Sequence, residues 1–326
     1  MCAATQLLGY FQDFQLTWSY LLDQLVAGLT LGSVYGLIAI GYSMVYGILK
    51  LLNFAHGEVF MIGSYIGYFT LTALGGAADP DLPVAVVIAL MFVAAMLGAA
   101  GLGVVIERFA YRPLRRKRAP RIAPLISALG VSFCLQQLAV ICFGSIPRQY
   151  DSFAFANGSL FTSVTIGPFD IQYMQLFVIV TTVVLMAGLT IFIARTQVGR
   201  AMRATSFDLD AASMMGINVD RVIVVTFFIG SALAGAAGVM NGLIFQNVDP
   251  YVGFQVGLIA FTAAVVGGIG SIPGAMVGGL AIGLGRAFAV GYVSSAYQDV
   301  IVFAILIGVL LLRPSGIFGT PAPQKV

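Results

Sequence analysis

Charge, cysteine and histidine are all scarce in this chain. Of its 326 residues 9% are charged and 60% are hydrophobic, and the mean hydropathy is +0.99. A soluble domain carries roughly 25% charge and 45–50% apolar residues. The composition therefore excludes an ordinary soluble globular protein, a nucleic-acid binder and a disordered chain. The three cysteines, Cys2, Cys134 and Cys142, show no Cys-x-x-Cys or Cys/His spacing, so no metal site is expected. Cys134 and Cys142 share one apolar run and are expected to be packing residues. A single histidine, His56, without a nucleophile signature around it, cannot build a Ser-His-Asp triad in a conventional way. Neither H-E-x-x-H nor G-x-x-x-x-G-K-[ST] occurs, which removes a zinc-protease helix and a P-loop for ATP. No catalytic residue is assigned, and the chain is expected not to be an enzyme.

What is present is length without charge. A membrane-crossing helix needs about 20 apolar residues. Runs free of Asp, Glu, Lys and Arg cover 24–49, 59–78, 82–106, 122–147, 171–194, 222–248, 250–285 and 300–312. As one helix, Pro250 to Gly285 would be about 54 Å long, against a hydrocarbon core of about 30 Å. It must turn, and Gly267-Gly268 followed by Gly270-Ser271-Ile272-Pro273-Gly274 supplies the breakers. The expected fold is an all-α polytopic membrane protein of about nine passes, with eight to ten the working range. The whole of 1–326 reads as one transmembrane domain. Its first helix is expected to act as the insertion signal, because no basic stretch precedes its apolar part.

Lys and Arg in short loops orient such a chain. The loop at about 107–121 holds Arg108, Arg112, Arg115, Arg116, Lys117, Arg118 and Arg121. The loop at about 195–221 holds Arg195, Arg200, Arg203 and Arg221. Two spans separate the loops, so both are assigned to the cytoplasm, with Lys50, Arg313 and Lys325. Asp13, Asp79, Asp81, Asp151, Asp170 and Asp249 then fall outside. Of the basic residues only Arg148, in an outer loop, and Arg286, in a hydrophobic stretch, stand apart.

Glycine is abundant, 39 residues, and much of it recurs every four positions: Gly28, Gly32, Gly36; Gly230, Ala234, Gly238, Gly242; Gly270, Gly274, Gly278; Gly279, Gly283. Small residues at that spacing let helix backbones approach closely in lipid. The rows suit a packed bundle first; the other reading is a face that lines a pathway or moves against a partner. The polar cluster Asn53-Phe54-Ala55-His56-Gly57-Glu58 admits two readings. One is a broken segment lining a cavity, covered by protein or water. The other is interfacial capping of the next helix, with Asn53 as N-cap and Glu58 near the positive helix end. Asn53, His56, Gly57, Glu58, Gly270, Pro273 and Gly274 are the candidate pathway or gate residues. Glu58, with Asp23 and Asp299 near helix ends, is a thin acidic inventory for proton or sodium coupling, so the energy source is expected outside the chain.

The stretch TQVGRAMRATSFDLDAASMMGINVD at 196–220 reads as a cytoplasmic loop with a short helix from Ser206 to Met215, between stops at Gly199 and Gly216. Asp210-Ala211-Ala212, three residues, then Gly216 resembles the Glu-Ala-Ala-x-x-x-Gly core of ABC importer permeases. Here Asp210 replaces the Glu, and the Ile-x-Leu-Pro half of that motif is missing. Longer stretches resemble the LivH-type permeases of branched-chain amino acid importers. They are GLTLGSVYGLIAIGYSMVYGILKLLNFAHGE at 28–58, ERFAYRPLRRKRAPRIAPLISALG at 107–130, GRAMRA at 199–204, AFTAAVVGGIGSIPGAMVGG at 260–279 and LRPSGIFG at 312–319.

The resemblance implies a membrane subunit that pairs with a second related permease, two cytoplasmic ATP-binding subunits and an external substrate-binding protein, in the bacterial inner membrane. ATP and Mg would be used by the partners, with no cofactor in this chain. Gly199, Arg200, Arg203, Asp208, Asp210, Ala211, Ala212 and Gly216 would then couple to the ATPase. The implied cargo is leucine, isoleucine or valine. The alternatives are an autonomous carrier or facilitator of a small polar solute such as urea or an amide, and a membrane scaffold with no pathway.

Overall fold

The computed structural model describes residues 2–75, 83–117, 119–120, 122–150, 162–166 and 169–319. Arg118, Arg121, Asp79, Asp81, Asp151 and Lys325, used above for orientation, lie outside them, as do the side chains of Cys2, Asp13 and Asp170. In hydrocarbon every backbone group must find its partner within the protein, which favours helices. Helices dominate accordingly. In chain order they are α1 (Cys2–Leu49), α2 (His56–Ala73), α3 (Val84–Ile106), α4 (Arg112–Arg116), α5 (Ile122–Phe143), α6 (Tyr173–Arg195), α7 (Gln197–Phe207) and α8 (Leu209–Met214). They continue with α9 (Val219–Phe245), α10 (Val252–Gly267), α11 (Ile272–Tyr292) and α12 (Gln298–Leu312). A π-helical turn, Glu107–Tyr111, joins α3 to α4. Two short antiparallel pairs complete the described elements: β1 (Arg148–Gln149) with β4 (Asn247–Val248), and β2 (Ser163–Ile166) with β3 (Phe169–Gln172).

Seven helical segments among the described residues are long and apolar enough to cross a membrane: Tyr20–Leu49, Val84–Arg116, Ile122–Phe143, Tyr173–Arg195, Val219–Phe245, Ile272–Tyr292 and Ser295–Leu312. The shorter apolar α10 is an eighth candidate. The nine expected passes therefore stand as seven by this measure, plus α10. The difference has two sources. α10 has 16 residues, about 24 Å. α2 starts with His56 and Glu58 rather than with an apolar run.

The long uncharged stretch breaks where the glycines predict. α10 ends at Gly267, Gly268 and Gly270 take φ of +107° and +93°, and α11 starts on a Ser271 cap whose hydroxyl accepts from Gly274 N at 3.2 Å. Pro273 sits in the first turn, where its missing N–H costs nothing. The last carbonyls of α10 are not left bare. Ile317 N and Phe318 N donate to Val266 O and Gly267 O, each at 2.9 Å, so the carboxyl-terminal segment folds back onto the break.

The glycine rows hold helices together inside this one chain. A Cβ on Gly283 of α11 would lie 2.2 Å from Gly32 N of α1, and one on Gly238 of α9 would lie 2.4 Å from Phe60 O of α2. Backbones touch there, and no side chain fits. Around these crossings lie Leu37, Ile38, Phe60, Met61, Met91, Phe227 and Met240, all buried.

The two basic loops meet at one end of the bundle. Arg115 Nη2 donates to Asp220 Oδ1 at 2.7 Å and to Glu107 Oε1 at 3.1 Å, and Arg112 Nη2 donates to Asp220 Oδ2 at 3.2 Å. The start of α9 is thus tied to the α3–α4 leg. One expectation fails here: Cys134 and Cys142 are exposed on the outward face of α5 rather than packed. An apolar run carries no mark of which face meets lipid, because lipid accepts a thiol as readily as a core does.

Candidate functional site

The polar cluster after α1 is buried. Glu58 has 0% exposure, His56 1% and Asn53 3%. Asn53 does not cap α2. Ala55 occupies that position with no side-chain cap, and Asn53 Oδ1 instead accepts from Tyr111 Oη at 3.0 Å. The capping reading is therefore corrected. A buried tyrosine hydroxyl captured the amide that the helix end would have used. Glu58 Oε1 accepts from Ser132 Oγ of α5 at 3.1 Å. Among the described residues Glu58 Oε2 and His56 Nε2 have no hydrogen-bond partner. The His56 ring stands edge-on to Tyr42, with centroids 4.9 Å apart. Gly57 belongs to a helix crossing, since a Cβ there would sit 2.3 Å from Gly253 O of α10. The cluster thus joins α1, α2, α5, α10 and the π turn in the interior. Gly270 lies in the separate turn between α10 and α11, and Pro273 and Gly274 lie in the first turn of α11.

The second candidate is an elbow made by α7 and α8. Thr196 caps α7 by accepting from Gly199 N at 3.0 Å. Gly199 is not a stop. It lies in the first turn of α7, pressed on α6 so closely that a Cβ would be 2.2 Å from Ile193 O. Nor does one helix run from Ser206 to Met215. Asp208 is extended, and its Oδ1 accepts from Asp210 N at 2.8 Å and Ala211 N at 3.0 Å, ending α7 and starting α8. An Asp offers the backbone this alternative to continued helix. Gly216 does stop α8: Ile217 N donates to Ala212 O and Gly216 N to Ser213 O, with Gly216 at φ +81°. This is a Schellman closure, in which glycine avoids the left-handed penalty of roughly 1–2 kcal/mol.

The elbow presents two faces. Ala212 is buried against the body of the protein, while Phe207, Met214 and Met215 are 91%, 81% and 82% exposed. Arg203 reaches back to the end of α6, donating to Ile193 O at 2.6 Å and Ala194 O at 3.5 Å. Arg200, Asp208, Asp210 and Ala211 face outward. The chemistry of this surface is contact, with no nucleophile or acid–base pair.

The chain matches the family described as "Branched-chain amino acid transport system / permease component" over residues 24–310. The chain belongs to that family. It is 46% identical over 305 residues to the high-affinity branched-chain amino acid transport system permease protein BraD of Pseudomonas aeruginosa, covering 94% of this chain and 98% of the relative. It is 46% identical over 314 residues to the permease protein LivH of the same kind of system in Escherichia coli, with the same coverage. A probable LivH of Methanocaldococcus jannaschii is 31% identical over 300 residues, covering 87% of this chain and 88% of the relative.

In this permease, two features of the site region escaped sequence reasoning. One is the exposed apolar tip, Phe207 with Met214 and Met215. Its signal was available, since an apolar trio in a polar loop is unusual, but it hid beside the alanines. The other is the tie of Glu107, Arg115 and Asp220. More than a hundred residues separate its ends, so no local pattern announces it. The permease is a multi-pass protein of the inner membrane.

Proposed function

We propose that this chain is one of two permease subunits in an ATP-driven importer of branched-chain amino acids. The observation that carries this reading is the end-to-end similarity to BraD and LivH, at 46% identity over 94% of the chain. Two cytoplasmic subunits bind and hydrolyse ATP with Mg, an external protein delivers leucine, isoleucine or valine, and this chain performs no chemistry of its own. The elbow is the docking element. Its exposed Phe207, Met214 and Met215 offer apolar area that water penalises by about 25 cal/mol per Å², which favours cover by a partner groove. Ala212 and Gly216 set the elbow's shape, and Arg200, Asp208 and Asp210 are the polar rim, with Ala211 exposed among them. Movement of the ATPases pushes the elbow, and α9 and the α3–α4 leg move with it through Asp220.

Asn53, His56, Gly57 and Glu58 are the proposed gate, with Gly270, Pro273 and Gly274 at the break between α10 and α11 as its second part. Buried ionisable groups inside a membrane are costly and usually functional, and two of these polar atoms have no hydrogen-bond partner among the described residues. The test is purification of the tagged chain from gently solubilised membranes, then uptake in vesicles. Recovery of two ATP-binding subunits and a second permease, with ATP-dependent leucine uptake, supports the reading. Uptake by this chain alone sinks it. In the same assay Met214→Glu should release the ATP-binding subunits while leaving the second permease attached.

A further inference from the structure

The end of the bundle opposite the elbow carries a cavity of about 530 Å³ that none of the sequence motifs named. It opens beyond the end of α9, between α1, α10 and α11, and by the charge distribution of the loops it faces outward. Its volume falls in the range of about 300–1,000 Å³ found for small-molecule sites. Two opposite charges, Arg286 of α11 and Asp249 just before α10, contribute to one lining. Leu31, Phe245, Val256 and Val290 make the apolar part of the wall.

Arg286 is placed by packing. The glycine contacts of α1 with α11 bring Tyr35 alongside, and the guanidinium donates to Tyr35 Oη and, through Nε at 3.0 Å, to Gln298 Oε1. Asp299 is 3.5 Å from Nη2, an ion pair longer than a good N–H···O bond. A guanidinium has five N–H donors, so the contacts that fix its position leave donors for a further anion. Asp249 Oδ1 accepts from Tyr251 N at 2.7 Å, which fixes its carboxylate in a turn. Among the described residues Asp249 makes no ion pair of its own.

A fixed cation, a fixed anion and an apolar wall in one cavity match one chemical class: an α-amino acid with an apolar side chain. We propose that this cavity is an outward-facing recognition site for the zwitterion, with Arg286 receiving the α-carboxylate and Asp249 the α-ammonium. The proposal rests on the importer reading above and adds to it the place where this subunit reads its cargo. A ligand without the ammonium leaves Asp249 without a partner charge, and one without the carboxylate leaves the remaining N–H donors of Arg286, already paired with Asp299, unused.

The experiment uses the assembled importer without its external binding protein, so that only the membrane site is read. Cys2, Cys134 and Cys142 are replaced by Ser, and Val290→Cys places a thiol on the cavity wall. Leucine should slow modification of that thiol by an impermeant maleimide at least threefold. Isoamylamine, lacking the carboxylate, and 4-methylpentanoate, lacking the ammonium, should not. Arg286→Gln and Asp249→Asn should each abolish protection in complexes that still assemble. Asp249→Asn carries the test if Arg286→Gln fails to assemble, because Asp249 lies in a turn outside the helix contacts. Protection that survives Asp249→Asn, or equal protection by the amine alone, overturns the proposal. So does the absence of leucine protection in a complex that imports leucine. If the complete wild-type complex imports no branched-chain amino acid, the importer reading itself fails and takes this site with it.

Discussion

Helices α1 and α9 and helices α5, α6 and α12 are all apolar enough to cross a membrane, yet they sit in opposite places. The apolar windows of α1 and α9 are 72% and 78% buried within the protein, against 17% and 22% for α5 and α6, and 6% for the segment ending in α12. Hydrophobicity does not sort them, because lipid tails are as apolar as leucine and supply no drive to leave. Small and polar residues do. α9 carries Gly230, Gly235, Gly238 and Gly242 among its buried positions, and α1 carries the row that meets α11. α5, α6 and α12 carry one glycine each, Gly130, Gly188 and Gly308, and among the described residues nothing lies within 4 Å of a Cβ at any of them. The centre is built by close backbone contact and the periphery by fit to lipid.

Matched substitutions sharpen the comparison. Gly283→Leu should have the largest effect, since its Cβ alone would overlap the backbone of Gly32. A cost of about 3 kcal/mol, the upper part of the overpacking range, should show as loss of the chain from membranes and a lower Tm in detergent. Gly308→Leu in α12 is its control. Nothing lies within 4 Å of a Cβ there, and glycine inside a helix costs roughly 0.5–1 kcal/mol against alanine, so this variant should be neutral or slightly stabilised. Equal damage from the two would break the comparison.

Glu107→Ala comes next. It removes the fully buried partner of Arg115, and breaking a buried pair costs about 3–5 kcal/mol. About 2 kcal/mol is expected, below that range, because the Arg115 left behind is partly exposed and still paired with Asp220, read as a Tm drop of the purified complex. Ser132→Ala should cost about 2 kcal/mol, since it leaves both Glu58 oxygens unsatisfied inside the bundle. Urea titration in detergent measures it. The smallest contrast lies in the elbow. Arg203→Ala frees two carbonyls at the end of α6 and should cost about 1 kcal/mol. Arg200→Ala should stay within about 0.5 kcal/mol, as an exposed site does, while lowering the yield of co-purified ATP-binding subunits. A stability loss at Arg200 equal to that at Arg203 would remove the distinction between rim and brace.

The elbow shows how far local reading reaches. Gly216 is legible as a stop because only a left-handed residue closes that helix without strain. Gly199 looks the same in sequence and does the opposite, since its reason is contact with Ile193, a neighbour on another helix. Asn53 looked like an N-cap because that is what asparagine does alone. Tyr111 reached it first. The Gly-Ser-Ile-Pro-Gly turn between α10 and α11 was legible because chain length forces a break and those residues supply it. Arg286 stood out as a lone charge, but its partners Tyr35, Gln298 and Asp299 lie on two other elements.

The sequence by itself determined that the chain lives in a bilayer, where its longest apolar stretch turns, and to which family it belongs. These follow from composition, from backbone rules that act over a few residues, and from ordered similarity along the chain. The tertiary structure alone decided which apolar helices are central, that Asn53 and Glu58 are interior, and that Arg286 and Asp249 share one cavity. The reason is physical. In lipid the hydrophobic effect no longer separates inside from outside, so position is set by backbone approach and by polar contacts between segments distant in the chain.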